Sequence, residues 1–236
     1  MLVCSSAAHG AVNLDRTRLI FNENEKSVSL KIENMSKKLP YLAYSWTENR
    51  QGQKNDTFFV ALPPLQRLEP GAISQVRVMK QPGVTGLPTD RESLFYFDLQ
   101  EIPPQPELKG KNDSVMQLAM QSKIKLFYRP AALLTENIQS QALKMQIRKT
   151  AAGLQLSNPT PYHITLAWLG ADMHHMLPGF KKGTMLTPFG DTTVPAGAGN
   201  DFRLGYIDDY GALRLLTLQC PGSSTCSVSE VRNETR

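Results

Sequence analysis

The feature that most constrains this chain is a period of two. Short runs in which every second residue is apolar recur between turn residues, and no helical pattern of useful length interrupts them. The runs are "RLIF" (18–21), "SVSLKIE" (27–33), "YLAYSWTE" (41–48), "TFFVAL" (57–62), "ISQVRVM" (73–79) and "SLFYFDL" (93–99). In the second of them Val28, Leu30 and Ile32 share one face. A seventh run covers 114–126, and seven strands in roughly 115 residues predict one immunoglobulin-like sandwich.

That seventh run is out of proportion. Within "SVMQLAMQSKIKLFYRP" (114–130), Met116, Leu118, Met120, Ile124 and Leu126 alternate with Gln117, Ala119, Gln121, Lys123 and Lys125. A typical strand has about five or six residues. By alternation alone, Met116, Leu118 and Met120 read as core of their own domain or as an exposed dimer patch.

After "RPAALLTEN" the rhythm restarts with "ALKMQIRK" (142–149), "GLQLSN" (153–158), "YHITLAWLG" (162–170), "FRLGYI" (202–207) and "LRLLTLQC" (213–220). Pro130 ends the long run, because proline cannot donate to a ladder. The expectation is therefore an all-β protein of two immunoglobulin-like sandwiches, residues 11–132 and 133–236. Pro63 and Pro64 in "ALPPLQ" predict an abrupt turn of the kind that accommodates a cis bond.

Charge and length narrow the class. The 26 Lys and Arg against 21 Asp and Glu give +5, spread along the chain rather than massed, which argues against nucleic acid and mildly favours carboxylate partners. No apolar run approaches the roughly 18 residues of a membrane-inserted helix. Residues 1–10, "MLVCSSAAHG", read as residual signal peptide, with Ala8 and Gly10 at the small-residue positions and cleavage before Ala11. Cys220 and Cys226 bracket "PGSST", a turn-rich loop suited to a local disulfide in an oxidising compartment, and Cys4 is the odd cysteine of the leader.

Enzyme signatures are missing. The sequence carries no G-x-S-x-G, P-loop, H-E-x-x-H or C-x-x-C. His174 and His175 are neighbours and would diverge on a strand. His163 in "NPTPYHITL" reads as an exposed strand residue, and Asp208 and Asp209 as turn or salt-bridge residues. No catalytic residue, metal site or cofactor is assigned, and the chain is read as a non-enzyme.

Seven blocks carry a more specific likeness: "LDRTRLIFNENEKSVSLKIEN", "LPYLAYSW", "ALPPLQRLEPGA", "DRESLFYFDLQEIPP", "KIKLFYRPAAL", "NPTPYHIT" and "YIDDYGA". In order and spacing the chain resembles the periplasmic pilus-assembly chaperones, closest to the chaperone of P pili, over residues 11–228. The resemblance implies two immunoglobulin-like domains in a boomerang arrangement. It implies pilin subunits as clients, an outer-membrane usher as the receiving partner, and donor-strand complementation, in which strand 114–126 fills the groove of a subunit lacking its last strand. Met116, Leu118 and Met120 are then groove anchors. Arg18 and Lys125 match the pair that holds the subunit's terminal carboxylate, with Lys123 as a helper, and Glu92, Arg129 and Asp209 match an interdomain salt bridge. Self-association through the exposed strand is a further expectation. Only "QPELKGKND", nine residues, separates "EIPP" from "SVMQ", which resembles the short-loop branch.

Overall fold

The computed structural model describes residues 10–105, 117–134, 138–196, 199–222 and 225–231. They form two compact units. The first takes the chain to Leu87 and from Leu94 to Leu126; the second takes Pro88–Ser93 and everything from Phe127. The leader (1–9), most of the 105–113 loop and Met116 lie outside the described residues.

In the first unit the strands are β1 (Val12–Leu14), β2 (Arg18–Asn22), β3 (Ser27–Asn34), β4 (Tyr41–Glu48), β5 (Phe59–Leu62), β6 (Leu65–Leu68), β7 (Ile73–Lys80), β8 (Ser93–Ile102) and β9 (Gln121–Arg129). They make two sheets, β1-β3-β7-β5 and β2-β9-β8-β4-β6. The chain thus changes sheet between β1 and β2. Alternation turns Leu30 and Ile32 of β3 and Val76 and Val78 of β7 into the core, all fully buried and with Leu30 opposite Val76, while Lys31 faces water. Across the sandwich Phe21 and Phe95 each meet Phe59, at 5.1 and 5.0 Å between ring centroids. The Leu62–Pro63 bond in the predicted turn is cis.

Three expectations about elements need correction. The strand predicted over 114–126 runs from Gln121 to Arg129. Residues 117–120 are not strand, although the Glu101 N–H still donates to the Met120 carbonyl. Second, β1 and β6, of three and four residues, were too short to show alternation. Third, "ALKMQIRK" opens in a helix, α1 (Ile138–Ala142), and becomes strand only at Gln146.

The second unit contains β10 (Gln146–Thr150), β11 (Gly153–Ser157), β12 (Ile164–Gly170), β13 (Thr184–Leu186), β14 (Asp191–Val194), β15 (Asp201–Ile207), β16 (Leu213–Gln219) and β17 (Ser227–Glu230). Its sheets are β10-β11-β14 and β13-β12-β15-β16-β17. Between them Ile147, Leu154, Leu156, Ile164, Leu166, Phe202, Leu204, Leu216 and Leu218 pack as one core. Cys220 and Cys226 form a disulfide between β16 and β17. The protein is all-β, with two immunoglobulin-like sandwiches.

Candidate functional site

The site is built on the two faces of β9. Its even-numbered row faces the first core at one end and solvent at the other. Leu126 is fully buried and Ile124 is 9% exposed, yet beyond Ser122 the next two residues of the same row, Met120 and Leu118, are 44% and 68% exposed. Residues of one row share one chemical face, so the protein presents unburied core-type side chains beyond its own sandwich. The backbone there is held on one side, where the Glu101 N–H donates to the Met120 carbonyl at 3.0 Å. On the other side β2, with five residues, can cover only part of the nine-residue β9. Length alone thus leaves part of the β9 edge without β2, and a ladder edge without a partner can accept another strand.

The odd-numbered row, Gln121, Lys123 and Lys125, lies on the outer face with Trp46 and Glu48 of β4 and Tyr96 and Asp98 of β8. Trp46 faces Asp98 and Glu48 faces Tyr96 across the β4–β8 ladder. Glu48 is buried and both its oxygens are engaged: Trp46 Nε1 donates to Oε1 at 2.8 Å, and Lys123 Nζ donates to Oε2. Lys123 Nζ also stands 4.5 Å from the centroid of the Tyr96 ring. Burial would lower the Lys123 amine, but its hydrogen bond to Glu48 and the charges of Asp98 and Glu48 outweigh it and leave it raised. Asp98 is fully buried; burial raises its carboxyl despite the hydrogen bond from Gln121.

Lys125 is different. Burial lowers its amine, and repulsion from Arg18 lowers it further. Among the described residues no carboxylate forms an ion pair with it. Arg18, the first residue of β2, is itself buried. Two cations from adjacent strands thus approach each other on one face. A carboxylate brought to this face could accept charge-assisted hydrogen bonds from both kinds of cation.

The second unit holds a separate network. Arg129 donates through Nε and Nη2 to Glu92 Oε1, at 2.9 and 2.8 Å, and through Nη1 and Nη2 to Asp209, at 2.8 and 3.1 Å. The expected trio is therefore together, and all three residues belong to the second unit. Burial opposes the charge on Arg129, but the hydrogen bonds and charges of Asp209 and Glu92 hold it firmly protonated. His163 corrects the sequence reading: it is 8% exposed rather than an open strand residue. Its N–H donates to Glu92 Oε2 at 2.8 Å, and its Nδ1 lies 3.3 Å from the same oxygen. Asp208 points elsewhere, accepting from the Tyr210 and Ala212 amides and from Arg214 Nε.

Arg18, Lys125, Leu118 and Met120 were named from the sequence, while Glu48, Trp46 and Asp98 on the same outer face were not. A signal existed only for the last three as a set: each sits on the outward register of its strand. Nothing local pairs Glu48 with Lys123, 75 positions away.

Comparison with known proteins agrees with this architecture. Residues 11–134 match the family model of the pili and flagellar-assembly chaperone PapD N-terminal domain, and residues 139–217 that of the pili assembly chaperone PapD C-terminal domain. The chain is 49% identical over 234 residues to the uncharacterized fimbrial chaperone YbgP of Escherichia coli K12, covering 98% of this chain and 96% of that one. It is 45% identical over 226 residues to the chaperone protein PapD of Escherichia coli, with 95% and 92% coverage. Among solved structures, the SafB chaperone in complex with the Salmonella enterica SafA pilin superimposes with a TM-score of 0.75, at 25% identity and with 96% and 99% coverage. The periplasmic chaperone SfaE gives a TM-score of 0.67 at 36% identity, with 86% and 95% coverage. Two domain models in order, near-complete coverage and an all-β two-sandwich structure agree, and the chain belongs to the PapD family of pilus-assembly chaperones.

Proposed function

We propose that this protein is a periplasmic chaperone that holds pilin subunits by lending them the exposed part of the 114–126 segment and passes them to an outer-membrane usher. The observation that carries the reading is the row that runs from buried Leu126 to exposed Leu118. Entering a subunit's groove, Leu118 and Met120 would each contribute roughly 1.5–3 kcal/mol before ordering costs. Methionine adapts its shape, which suits grooves of differing outline. Met116 is the proposed third anchor. Backbone hydrogen bonds along the open edge of β9 then supply affinity without reading sequence.

Arg18 and Lys125 are the proposed seat of the subunit's terminal carboxylate. The seat favours a charged partner because the two cations repel while Lys125 has no acidic partner among the described residues. The fork of Arg129 is the proposed fastening of the segments 88–93 and 127–129 to the second sandwich. The sequence has no nucleotide-binding motif, so release is proposed to occur by exchange for another subunit's strand. The same open edge offers a pairing surface to a second copy of the chain.

The alternative is a secreted immunoglobulin-like adhesive or structural binding module. It requires Leu118 and Met120 to be core residues of the free protein, and their exposure disfavours it. The deciding experiment is co-expression with the neighbouring fimbrial subunits. Arg18→Ala and Lys125→Ala proteins should accumulate folded in the periplasm yet fail to recover subunits. Undiminished recovery by both variants would remove the carboxylate seat from the mechanism.

A further inference from the structure

Alternation protects a donated strand against a slip of one residue but not against a slip of two. A one-residue shift turns every anchor to the wrong face. A two-residue shift, about 6.6 Å along the strand, returns each side chain to the correct face. On β9 the hazard is concrete, because Lys123 and Lys125 stand on the same outward row two residues apart. A client carboxylate seated at Lys123 would give a complex with the same facial pattern and the wrong register.

The structure answers this hazard at Glu48. Its carboxylate is buried at the end of β4, pinned through Oε1 by the indole N–H of Trp46 at 2.8 Å, and engages Lys123 through Oε2. Lys54, a further cation on this side of the sheet, is also occupied. Its Nζ donates to the Tyr44 hydroxyl at 3.0 Å and lies over the Tyr44 and Trp46 rings, 4.5 and 4.3 Å from their centroids. Lys125 has no comparable acid among the described residues.

We infer that Glu48 is a register-determining residue: by neutralising Lys123 it leaves the Arg18–Lys125 pair as the place where a client's C-terminus is received. This rests on the carboxylate seat proposed above and deepens it. It also reverses the expectation that Lys123 assists at that seat. Opposite shifts of the two amines support the assignment: Lys123 is already matched to a negative charge and Lys125 is not. A second carboxylate arriving at Lys123 would have to displace Glu48 or sit beside it, and both are unfavourable against a like charge already in place.

The test uses the full chain, labelled with ¹⁵N, and a synthetic peptide copying the C-terminal strand of a fimbrial subunit. The peptide carries a free carboxylate and a nitroxide at its N-terminal end. With the native protein, one profile of paramagnetic broadening along β9 is expected, the Lys125 ζ-amine signal should move, and amidating the peptide should weaken binding by about tenfold or more. In Glu48→Gln a second profile should appear, displaced two residues toward Gln121, with the Lys123 amine now perturbed. Glu48→Gln combined with Lys123→Gln should restore the single profile. Lys123→Gln alone, which removes the ammonium but keeps an amide able to donate to Glu48, should bind within about twofold of native.

The outcomes separate the two layers. A single unmoved profile in Glu48→Gln, with the acid still preferred to the amide, overturns the inference and leaves the seat standing. A tenfold loss in Lys123→Gln also overturns it, because Lys123 would then be an anchor in its own right. Equal binding of acid and amide by the native protein removes the seat and the inference with it.

Discussion

Gln121 Nε2 donates a 2.6 Å hydrogen bond to Asp98 Oδ1, while Oδ2 of the same buried carboxylate has no hydrogen-bond partner among the described residues. Burial raises the Asp98 carboxyl, with the Glu48 charge adding to it. An acid raised in the folded state costs stability wherever it is ionised, and the cost is relieved as pH falls through the raised value toward the ordinary 3.8. Asp98→Asn should therefore stabilise the protein at pH 7, by about 1–3 kcal/mol if the unpaired oxygen carries the usual penalty. Its stability should also vary less between pH 4 and 7 than that of the native chain. Urea denaturation across that range measures both; a less stable Asn variant at neutral pH contradicts the account.

Lys125 gives a prediction of opposite chemistry. Its amine is lowered by burial and by Arg18. A base lowered in the folded state destabilises while protonated, so stability from this group rises with pH between the lowered value and the ordinary 10.5. Lys125→Met should be at least as stable as the native protein at pH 7 and should lack that alkaline rise. Binding of a client carboxylate should raise the Lys125 amine, which ¹⁵N detection of its ζ-nitrogen follows directly. An amine unmoved by a saturating free-acid peptide counts against the seat.

Leu118 and Met120 are exposed in the free protein. Replacing both with Asp should change stability by no more than about 0.5 kcal/mol each, as for ordinary surface positions. Subunit binding should fall by at least about a hundredfold, since each anchor is worth roughly 1.5–3 kcal/mol. Recovery of co-expressed subunits and urea denaturation separate the two quantities. Global unfolding of the double variant would instead make these residues core.

Arg129 is the charge that two carboxylates surround, with Glu92 almost fully buried beside it. Arg129→Ala strands Glu92 and should destabilise the second unit by about 3–5 kcal/mol. Arg129→Lys should recover only part of this, because an ammonium cannot serve both carboxylates in a planar fork. Thermal unfolding of the three proteins gives the ranking native, Lys, Ala; a neutral Ala variant would place Arg129 among ordinary surface charges.

Much of the fold was legible because a sandwich strand advertises itself locally. Every second residue of "SVSLKIE" or "LRLLTLQC" must be apolar to reach a core, and turn residues mark the ends. Short strands such as β1 and β13, three residues each, contain too few positions for that signal and were invisible. The helix at Ile138–Ala142 escaped for the same reason: one turn has no period.

Local patterns in the chain were enough for the all-β class, the two sandwiches and the Cys220–Cys226 pairing, whereas the exposure of Leu118 and Met120 beyond their domain was not written in the alternation. The first three are written in residues close together in the chain or in a repeating pattern. Tertiary structure alone decided where β9 begins, that Glu48 takes Lys123 and leaves Lys125 to Arg18, that Asp98 is buried with one oxygen unmatched, and that His163 is enclosed against Glu92. Those facts depend on which strands become neighbours and in which register. Charge partnership falls off with distance in space, and separation along the chain says nothing about it.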